Sequence, residues 1–506
     1  MNALIGATVT VKTFKFSGNT LLSEAALQKI IAPYLNHPLD FTQLQDAVAA
    51  VAAAYRDAGW IVRAYLPQQE IEEGVVSIDI IEAVFGGARF EGVPATRLSS
   101  ETISRYVNAA QPAGTLLSAH AIDRILLLLS DIPGVSVTGS LSEGQALGQT
   151  DLILNTVDQP LFSGNAGMDN AGSRATGNQH LSANFNLNSP LALGDQLGAN
   201  LMASSGSSYG RLAFSAPVGY DGWRVGTSAS YMAYKLVAPE FLTLHVQGSS
   251  VSYGLDASYP LIRSKLNNLN LAFNYDHKYF NNEANFATTT RYALNTLTAA
   301  LNSTIQDSGF GGGVNTMGLS WLTGRVNLNG SPNQLADTAT TRTDGQFNKF
   351  RYSASRLQTL TESVAAYLSI SGQLAGKNLD SAEKFYLGGA NGVRAYPASE
   401  GGGAGGQMFT AELRGSLPHH FSLTGFYDWG QVTVNHNNNF AGAPALNNYS
   451  LQGFGVSAGW LSDFGLNLKT TWARRIGANP NPTLTGTDQD GTLIRNRFWL
   501  LASLPL

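Results

Sequence analysis

Three residues of this 506-residue chain combine reactive side chains with a suggestive position: Arg394, Tyr396 and Asp428. The first two lie in the glycine-rich stretch GGANGVRAYPASEGGGAGG, residues 388–406, and the aspartate lies in FYDWG further along. A guanidinium and a carboxylate can form two parallel charge-assisted hydrogen bonds of fixed geometry. Glycines let a backbone turn sharply. These residues therefore predict the attachment of a loop rather than catalysis.

Sequence patterns that could indicate an enzyme are weak. GVSAG at 455–459 has the G-x-S-x-G spacing of a hydrolase nucleophile, but it lies inside a predicted strand without the strand-to-helix turn that such a serine needs. GFGGGV at 309–314 resembles a dinucleotide-binding loop outside any βαβ unit. The eight histidines are scattered and H-E-x-x-H is absent. We therefore predict no enzyme, no cofactor and no metal site.

The composition limits the possible partners and compartments. The formal net charge is -4 and only 13% of residues are charged, against about 25% in typical globular proteins. This balance argues against binding of nucleic acid, and no nucleotide-binding motif is present. The chain has no cysteine, and no apolar run is long enough for a transmembrane helix. The amino terminus lacks the pattern of a signal peptide, which predicts a cytosolic protein or one whose signal has been removed.

The amino-terminal part contains one order of elements twice: strand, helix, helix, strand, strand. The first unit covers residues 8–83 and the second covers 84–158. In the first unit, Thr42 and Gln45 have capping-box spacing and predict the start of the longer helix. Each unit has about 75 residues, enough for a small hydrophobic core.

From about residue 160 to residue 506 the helical period is replaced by alternation of polar and apolar residues. A soluble β-sandwich also alternates, but the strands are long enough to span a bilayer, aromatic residues such as Trp499 lie near strand ends, and the polar face would suit a wet lumen. We therefore predict a transmembrane β-barrel. Its sixteen strands are expected near 162–171, 178–188, 194–204, 208–217, 222–235, 247–260, 267–280, 290–304, 313–328, 347–360, 362–375, 407–416, 420–431, 448–461, 463–474 and 495–505.

Strand parity places an acidic residue in the lumen of this barrel. In HFSLTGFYDWGQV the apolar face should meet lipid, and the other face, which includes Phe426, Asp428 and Gly430, should face inward. The preceding strand places Glu412 inward as well. If the loop 376–406 folds into the barrel, Arg394 meets an acidic wall. The alternative, an external loop with a solvated arginine, stays open on parity alone.

Two motifs and the two α/β units together resemble a known superfamily. VRAYP at 393–397 is similar to the VRGY-type loop motif of the superfamily that contains outer-membrane protein insertases and two-partner secretion transporters (TpsB), and FYDWG at 426–430 is similar to its F-x-D-x-G strand motif. The α/β units look like POTRA domains, residues 54–83 in particular, and DNAGSRATG at 169–177 looks like the start of a TpsB barrel. The resemblance to the ShlB-FhaC-HecB-like TpsB family covers essentially the whole chain. It implies two α/β POTRA domains followed by a 16-stranded antiparallel transmembrane β-barrel.

The resemblance also implies a role for each matched residue. Arg394 corresponds to the loop-tip arginine that pairs with the strand aspartate, here Asp428. We call this pair, together with Tyr396, the loop latch. Ala395 stands where the family usually has glycine, which is tolerated if the backbone angle is ordinary. The residues expected to support the two motifs are Val393, Gly392, Phe426 and Gly430.

The ends of the chain depart from the family pattern. The sequence begins directly at the first POTRA unit, whereas TpsB proteins usually have a signal peptide, a barrel-plugging helix and a linker before it. We therefore expect truncation or processing. The final Leu506 replaces the usual terminal aromatic residue of the barrel insertion signal.

As a function, the resemblance implies an outer-membrane transporter whose POTRA domains lie in the periplasm. Such a protein binds a secreted TpsA-type exoprotein, haemolysin- or adhesin-like, and passes it outward unfolded, without nucleotide. Contact with outer-membrane lipids and use of the outer-membrane assembly machinery for its own insertion are also implied. The alternative is an assembly insertase of the same superfamily. Two POTRA units favour secretion, because insertases typically carry five, and a passive porin would leave these units unexplained.

An exposed sheet edge in each α/β unit could capture the client by strand addition. The second strand of each unit, near 61–66 and 135–141, is the expected edge. The alternative, that these strands are paired or covered, stays open. The candidate client-binding residues are Val62, Ala64, Val135 and Val137.

Overall fold

The structure, a computed structural model, describes residues 8–146 and 148–506. Contacts within the chain divide it into two compact units. One contains the chain up to Gln159 together with residues 219–221, and the other contains 160–218 and 222–506. Among the described residues, no helix is long and apolar enough to cross a membrane.

The first unit consists of two α/β domains with the predicted order of elements. In each sheet the last strand is central, with the first strand parallel on one side and the second antiparallel on the other. The predicted first strand is interrupted, and its initial part pairs with a short strand before the long helix. The elements are β1 (Val9–Thr10), β2 (Thr13–Ser17), α1 (Glu24–Ile31), β3 (Pro38–Leu39), α2 (Phe41–Asp57), β4 (Val62–Tyr65), β5 (Val75–Glu82), β6 (Val84–Glu91), α3 (Ser100–Ala110), α4 (Ala119–Ser130), β7 (Val135–Glu143) and β8 (Gln149–Asp158).

The capping box of α2 lies two residues before the predicted one. The Asp40 side chain accepts a hydrogen bond from the Gln43 amide, and the Gln43 side chain accepts one from the Asp40 amide. The prediction of a capping box at the start of this helix was correct, but its assignment to Thr42 and Gln45 was wrong. An aspartate side chain can accept a hydrogen bond from the free amide at the helix start just as a threonine side chain can. Gly59, at φ 88°, follows the last residue of this helix and ends it.

A carboxylate at the end of the central strand fastens the loop before the first helix in both domains. In the first domain, the Glu82 carboxylate accepts hydrogen bonds from the Thr20 amide at 2.7 Å and from the Thr20 hydroxyl. In the second domain, the Asp158 carboxylate accepts them from the Thr96 amide at 3.0 Å and the Thr96 hydroxyl at 2.7 Å. Each carboxylate lies 62 residues after its threonine. The duplication therefore preserves a polar contact as well as the order of elements.

The second unit is a closed antiparallel barrel of sixteen strands, as predicted. The barrel strands are β9 (Phe162–Asp169), β10 (His180–Asn188), β11 (Gln196–Ala203), β12 (Ser207–Val218), β13 (Trp223–Lys235), β14 (Gln247–Arg263), β15 (Asn267–Ala284), β16 (Ala287–Asp307), β17 (Gly313–Asn327), β18 (Gly345–Thr359), β19 (Val364–Ala375), β22 (Gly405–Leu417), β23 (Phe421–Thr433), β24 (Asn448–Leu461), β25 (Asn467–Arg475) and β26 (Asn496–Pro505). The loops between them contain the short α-helix α5 (Gln334–Ala339) and a pair of short strands, β20 (Phe385–Tyr386) and β21 (Gly402–Gly403).

The barrel closes by a short ladder between its last and first strands. β26 and β9 pair from Leu501 opposite Asp169 to Pro505 opposite Asn165, which makes five residue pairs. Beyond Asp169, where this ladder ends, the side chain of Asn170 makes two further hydrogen bonds to the backbone of β26. Its amide nitrogen donates to the Phe498 carbonyl at 3.0 Å, and its oxygen accepts from the Leu500 amide at 2.8 Å.

We predict that the Glu82 contact makes the first domain less stable in acid. Burial raises the pKa of Glu82, but hydrogen bonds from Thr20, Leu21 and Tyr55 outweigh it and hold the pKa below its ordinary value. The contact therefore stabilises the domain above the ordinary glutamate pKa, and this stability is lost as the pH falls through the lowered value. The measurement is amide exchange at residues 20 and 21 of the full chain against pH.

Glu82→Gln should speed exchange of these two amides about ten-fold at neutral pH, since a hydrogen bond to a charged group contributes about 1.5–3 kcal/mol. It should also flatten the dependence on pH. Glu91→Gln, at the exposed end of β6, is the control and should change neither. Exchange that stays slow in Glu82→Gln would show that the carboxylate does not fasten the loop.

Candidate functional site

The glycine-rich loop between β19 and β22 folds into the barrel, where its middle is buried. Arg394 is 7% exposed and Tyr396 is 1% exposed. Gly389 and Gly401 have φ angles of 118° and 66°, values that residues with a Cβ rarely adopt. Glycine therefore supplies two of the left-handed positions of the loop, and Ser399, at φ 66°, supplies another.

Arg394 and Asp428 form the predicted ion pair with bidentate geometry. Nε of the arginine donates to one carboxylate oxygen at 2.9 Å and Nη2 donates to the other at 2.8 Å. The backbone amide of Arg394 donates to the same carboxylate at 3.1 Å. Asp428 is fully buried, and the Thr410 hydroxyl donates to it at 3.1 Å. The aspartate thus binds both the side chain and the backbone of the loop.

Three further groups surround the arginine. Its Nη1 lies 2.8 Å from Glu412, a second carboxylate, which parity had placed inward without assigning it a partner. Its guanidinium carbon lies 3.4 Å from the ring centroid of Phe426, which is a cation–π contact. The indole of Trp499 donates to the Arg394 carbonyl at 2.8 Å. Trp499 therefore points into the lumen, and its expected place in an aromatic belt at the membrane interface was wrong. A position near a strand end does not show which face of the strand a side chain occupies.

Small residues let the loop approach the wall. A Cβ on Gly430 would lie 2.7 Å from a Leu387 methyl and 3.3 Å from a Val393 methyl. A Cβ on Gly392 would lie 2.1 Å from the Leu387 carbonyl oxygen, so this glycine is required by the close approach of two backbones. Val393 is fully buried beside them.

Ala395 is accommodated by a glycine in the opposite strand. Its φ angle is not positive, and its side chain is fully buried. A Cβ on Gly453 would lie only 2.4 Å from the Ala395 methyl. The methyl group therefore occupies the space left by a missing side chain on β24, and the substitution in the motif is structurally complemented.

Tyr396 contacts a second ionic cluster instead of Asp428. The Arg475 guanidinium lies over its ring at 4.7 Å from the centroid. Arg475 also pairs with Asp488, which belongs to the loop between β25 and β26, and the Arg497 guanidinium lies 3.3 Å from Asp488. Sequence analysis missed this cluster, since nothing in the local pattern indicated that this loop also folds inward.

Glu400 joins the two inward loops. Its carboxylate is fully buried, and it accepts hydrogen bonds from the Asn479 side chain at 2.9 Å and the Gln489 amide at 2.8 Å. Asn479 also donates to Asp488 at 2.9 Å. The loop tip and the last loop are thus connected through one carboxylate and one amide side chain.

The beginning and end of the glycine-rich loop are attached to the wall near β18 and β19. Lys349 pairs with Glu383 at 2.6 Å, and both side chains are almost completely buried. The Gln373 side chain donates to the Glu383 carbonyl at 3.1 Å and to the Ala404 carbonyl at 3.0 Å. One amide therefore holds both limbs of the loop.

The four candidate client-binding residues lie on edge strands, with their side chains in or against the domain cores. β4 and β7 each pair with one strand and form an edge of their sheets. Val135 and Val137 are each 4% exposed, while Val62 and Ala64 pack against the core of the first domain. The side chains of these four residues therefore pack on the cores, and the backbone of β4 and of β7 forms a free edge of each sheet.

Comparisons with known proteins cover most of the chain. A family model described as haemolysin secretion/activation protein ShlB/FhaC/HecB matches residues 148–459, and a model of the ShlB-type POTRA domain matches 9–83. The heme/hemopexin transporter protein HuxB of Haemophilus influenzae is 28% identical over 451 residues, which are 87% of this chain and 78% of that protein.

Solved structures share the fold. CdiB from Escherichia coli has a TM-score of 0.74 at 21% identity, covering 99% of this chain and 91% of that one. BamA from Haemophilus ducreyi lacking POTRA domains 1–3 has a TM-score of 0.61 at 15% identity, covering 99% of this chain and all of that one. At these identities the likeness concerns the fold alone.

We predict that Gly453→Ala displaces the loop, because its methyl would overlap that of Ala395. The measurement is cleavage of the loop by an added protease in folded barrels, which should become at least ten-fold faster. The double variant Ala395→Gly with Gly453→Ala should restore protection. The control is Gly425→Ala, where a Cβ meets nothing within 4 Å. Equal rates of cleavage in Gly453→Ala and Gly425→Ala would contradict the predicted overlap.

Proposed function

Because the chain belongs to the haemolysin secretion/activation family ShlB/FhaC/HecB, we propose that it recognises one secreted partner protein in the periplasm and translocates it unfolded through the barrel. The barrel lies in the outer membrane, and the POTRA domains lie in the periplasm. A TpsA-type exoprotein is the proposed client. The relative HuxB is a heme/hemopexin transporter protein, and we propose a secreted protein as the client of this chain as well.

The observation that carries the proposal is a loop held inside a polar lumen by a buried ion pair. Arg394 with Asp428 and Glu412 provides charge-assisted hydrogen bonds, not a nucleophile or a general base. Removing one partner of a buried pair leaves an uncompensated charge and costs about 3–5 kcal/mol. The latch therefore gives the loop a defined position inside the lumen that a client must cross.

The edge strands provide the proposed point of capture. β4 and β7 expose backbone groups that can bind an extended segment, so affinity comes from hydrogen bonds that any polypeptide can make. The outward side chains Arg63 and Tyr65 flank the first edge and would add selectivity. Transport in this scheme uses no nucleotide, and folding of the client outside the cell makes it directional.

We predict that Arg394→Ala or Asp428→Ala lowers secretion about ten-fold while the barrel still assembles. The client to use is the large exoprotein that we expect to be encoded beside this chain. Secreted client is measured in the medium, and assembly is measured by the heat-dependent migration of the barrel in gels. Wild-type secretion by both variants would remove the latch from the mechanism.

Arg356→Ala is the matched control. Arg356 also pairs with an aspartate, Asp307, at 2.7 Å, but both side chains are about one-third exposed at a turn. An exposed pair contributes about 0–1 kcal/mol, so secretion should stay normal. If the wild-type chain supports insertion of other barrels but secretes no neighbouring exoprotein, the insertase alternative is correct.

We predict that client binding slows amide exchange in β4 and β7, because an added strand would occupy their free edges. The measurement compares the full chain with and without the amino-terminal part of the same exoprotein. β2 and β6, the opposite edges of the two sheets, provide the internal control. Protection confined to β2 and β6 would show that capture uses the other edge.

A further inference from the structure

The barrel wall has two unlike halves. The glycine-rich loop is held by strands β15–β19 and β22–β26, through Lys349 and Gln373 on one side and through Glu412 and Asp428 on the other. Strands β9–β14 line the rest of the lumen, and we call the inward face of β10–β14 the polar wall. Its composition is different, and it carries no part of the latch described above.

Small residues stand next to one another across the polar wall. One row runs through Asn186, Gly198, Ala213, Ser228 and Gly254, each directly opposite the next. The residues before and after them on the same strands include exposed leucines of the outer face, so the row points inward.

The adjacent row is also mainly neutral and polar. It runs through Asn184, Asn200, Arg211, Ser230 and Ser252, again in direct register. Only Arg211 in this row is charged. Arg224 and Asp256 also share the inward parity of these strands but lie outside the two rows. In the latch half, Arg394, Lys349 and three carboxylates form buried ion pairs.

We propose that the extended client crosses the barrel along the polar wall while the latch keeps the loop against the opposite half. This inference rests on the proposed function and adds the surface that the client touches. Serine and asparagine side chains both donate and accept hydrogen bonds, as the backbone of an unfolded chain requires. Gly198, Ala213 and Gly254 leave room beside them.

The mainly neutral composition of the two rows suits a client of varied sequence. A charged wall would retain segments of opposite charge and repel those of like charge. Hydroxyl and amide groups exchange hydrogen bonds with water and with the client at little net gain, so no segment is held tightly. The surface therefore fits transient contact with unfolded polypeptide, whereas the latch half fits a permanent loop.

Single cysteines test this inference, since the natural chain contains none. Ser228→Cys and Ser252→Cys place a thiol on the polar wall, and Ser353→Cys places one on β18 in the latch half, facing inward and exposed. The probe is the neighbouring exoprotein, stalled by a disulfide-stapled domain at its carboxyl end and carrying one cysteine. A short bismaleimide then joins client to barrel in intact cells.

We expect cross-links at residues 228 and 252 to exceed those at 353 at least ten-fold, while a small maleimide labels all three thiols without client. Equal yields, or a preference for residue 353, would overturn the inference. All three variants must secrete the unstalled exoprotein, which separates this test from the proposed function. If the wild-type chain secretes none of it, the proposed function itself fails; if it secretes normally and only the cross-links differ from expectation, the path alone is wrong.

Discussion

A buried arginine between two carboxylates organises the interior of this barrel. Arg394 can lie there only because Asp428 and Glu412 compensate its charge and Phe426 covers its face. The loop brings with it a backbone that has little access to water, and an unpaired buried amide is costly. The Arg394 amide and carbonyl are paired with Asp428 and Trp499, so side chains of the wall replace the hydrogen bonds that a strand partner would otherwise supply.

Complementary size is the second requirement. The motif residue Ala395 fits because Gly453 lacks a side chain, and Val393 fits beside Gly430 for the same reason. Close packing leaves no tolerance for one extra methyl group unless its neighbour becomes smaller. Residues separated in sequence therefore have to change together at this site.

The period-two pattern predicted most of the fold because a barrel wall repeats one constraint many times. Each strand must show apolar residues to lipid and polar residues to the lumen, so the number of strands and the inward position of Asp428 could be derived from alternation. The Arg394–Asp428 pair followed from the resemblance of VRAYP and FYDWG to two family motifs, because parity alone left an external loop open. The partner of Tyr396 could not be derived, because Arg475 and Asp488 meet only when a second loop folds inward. Loops have no period, and Trp499 shows that aromatic position alone does not define a face.

The contact between Glu400 and the last loop has a thermodynamic consequence. Asn479 and Gln489 bind Glu400, and Arg475 contacts both Tyr396 and Asp488. The free energies of the two loops are therefore linked, and linkage acts equally in both directions. A molecule that binds the last loop more tightly in one arrangement shifts the population of the latch, and a variant that shifts the latch changes the affinity for that molecule.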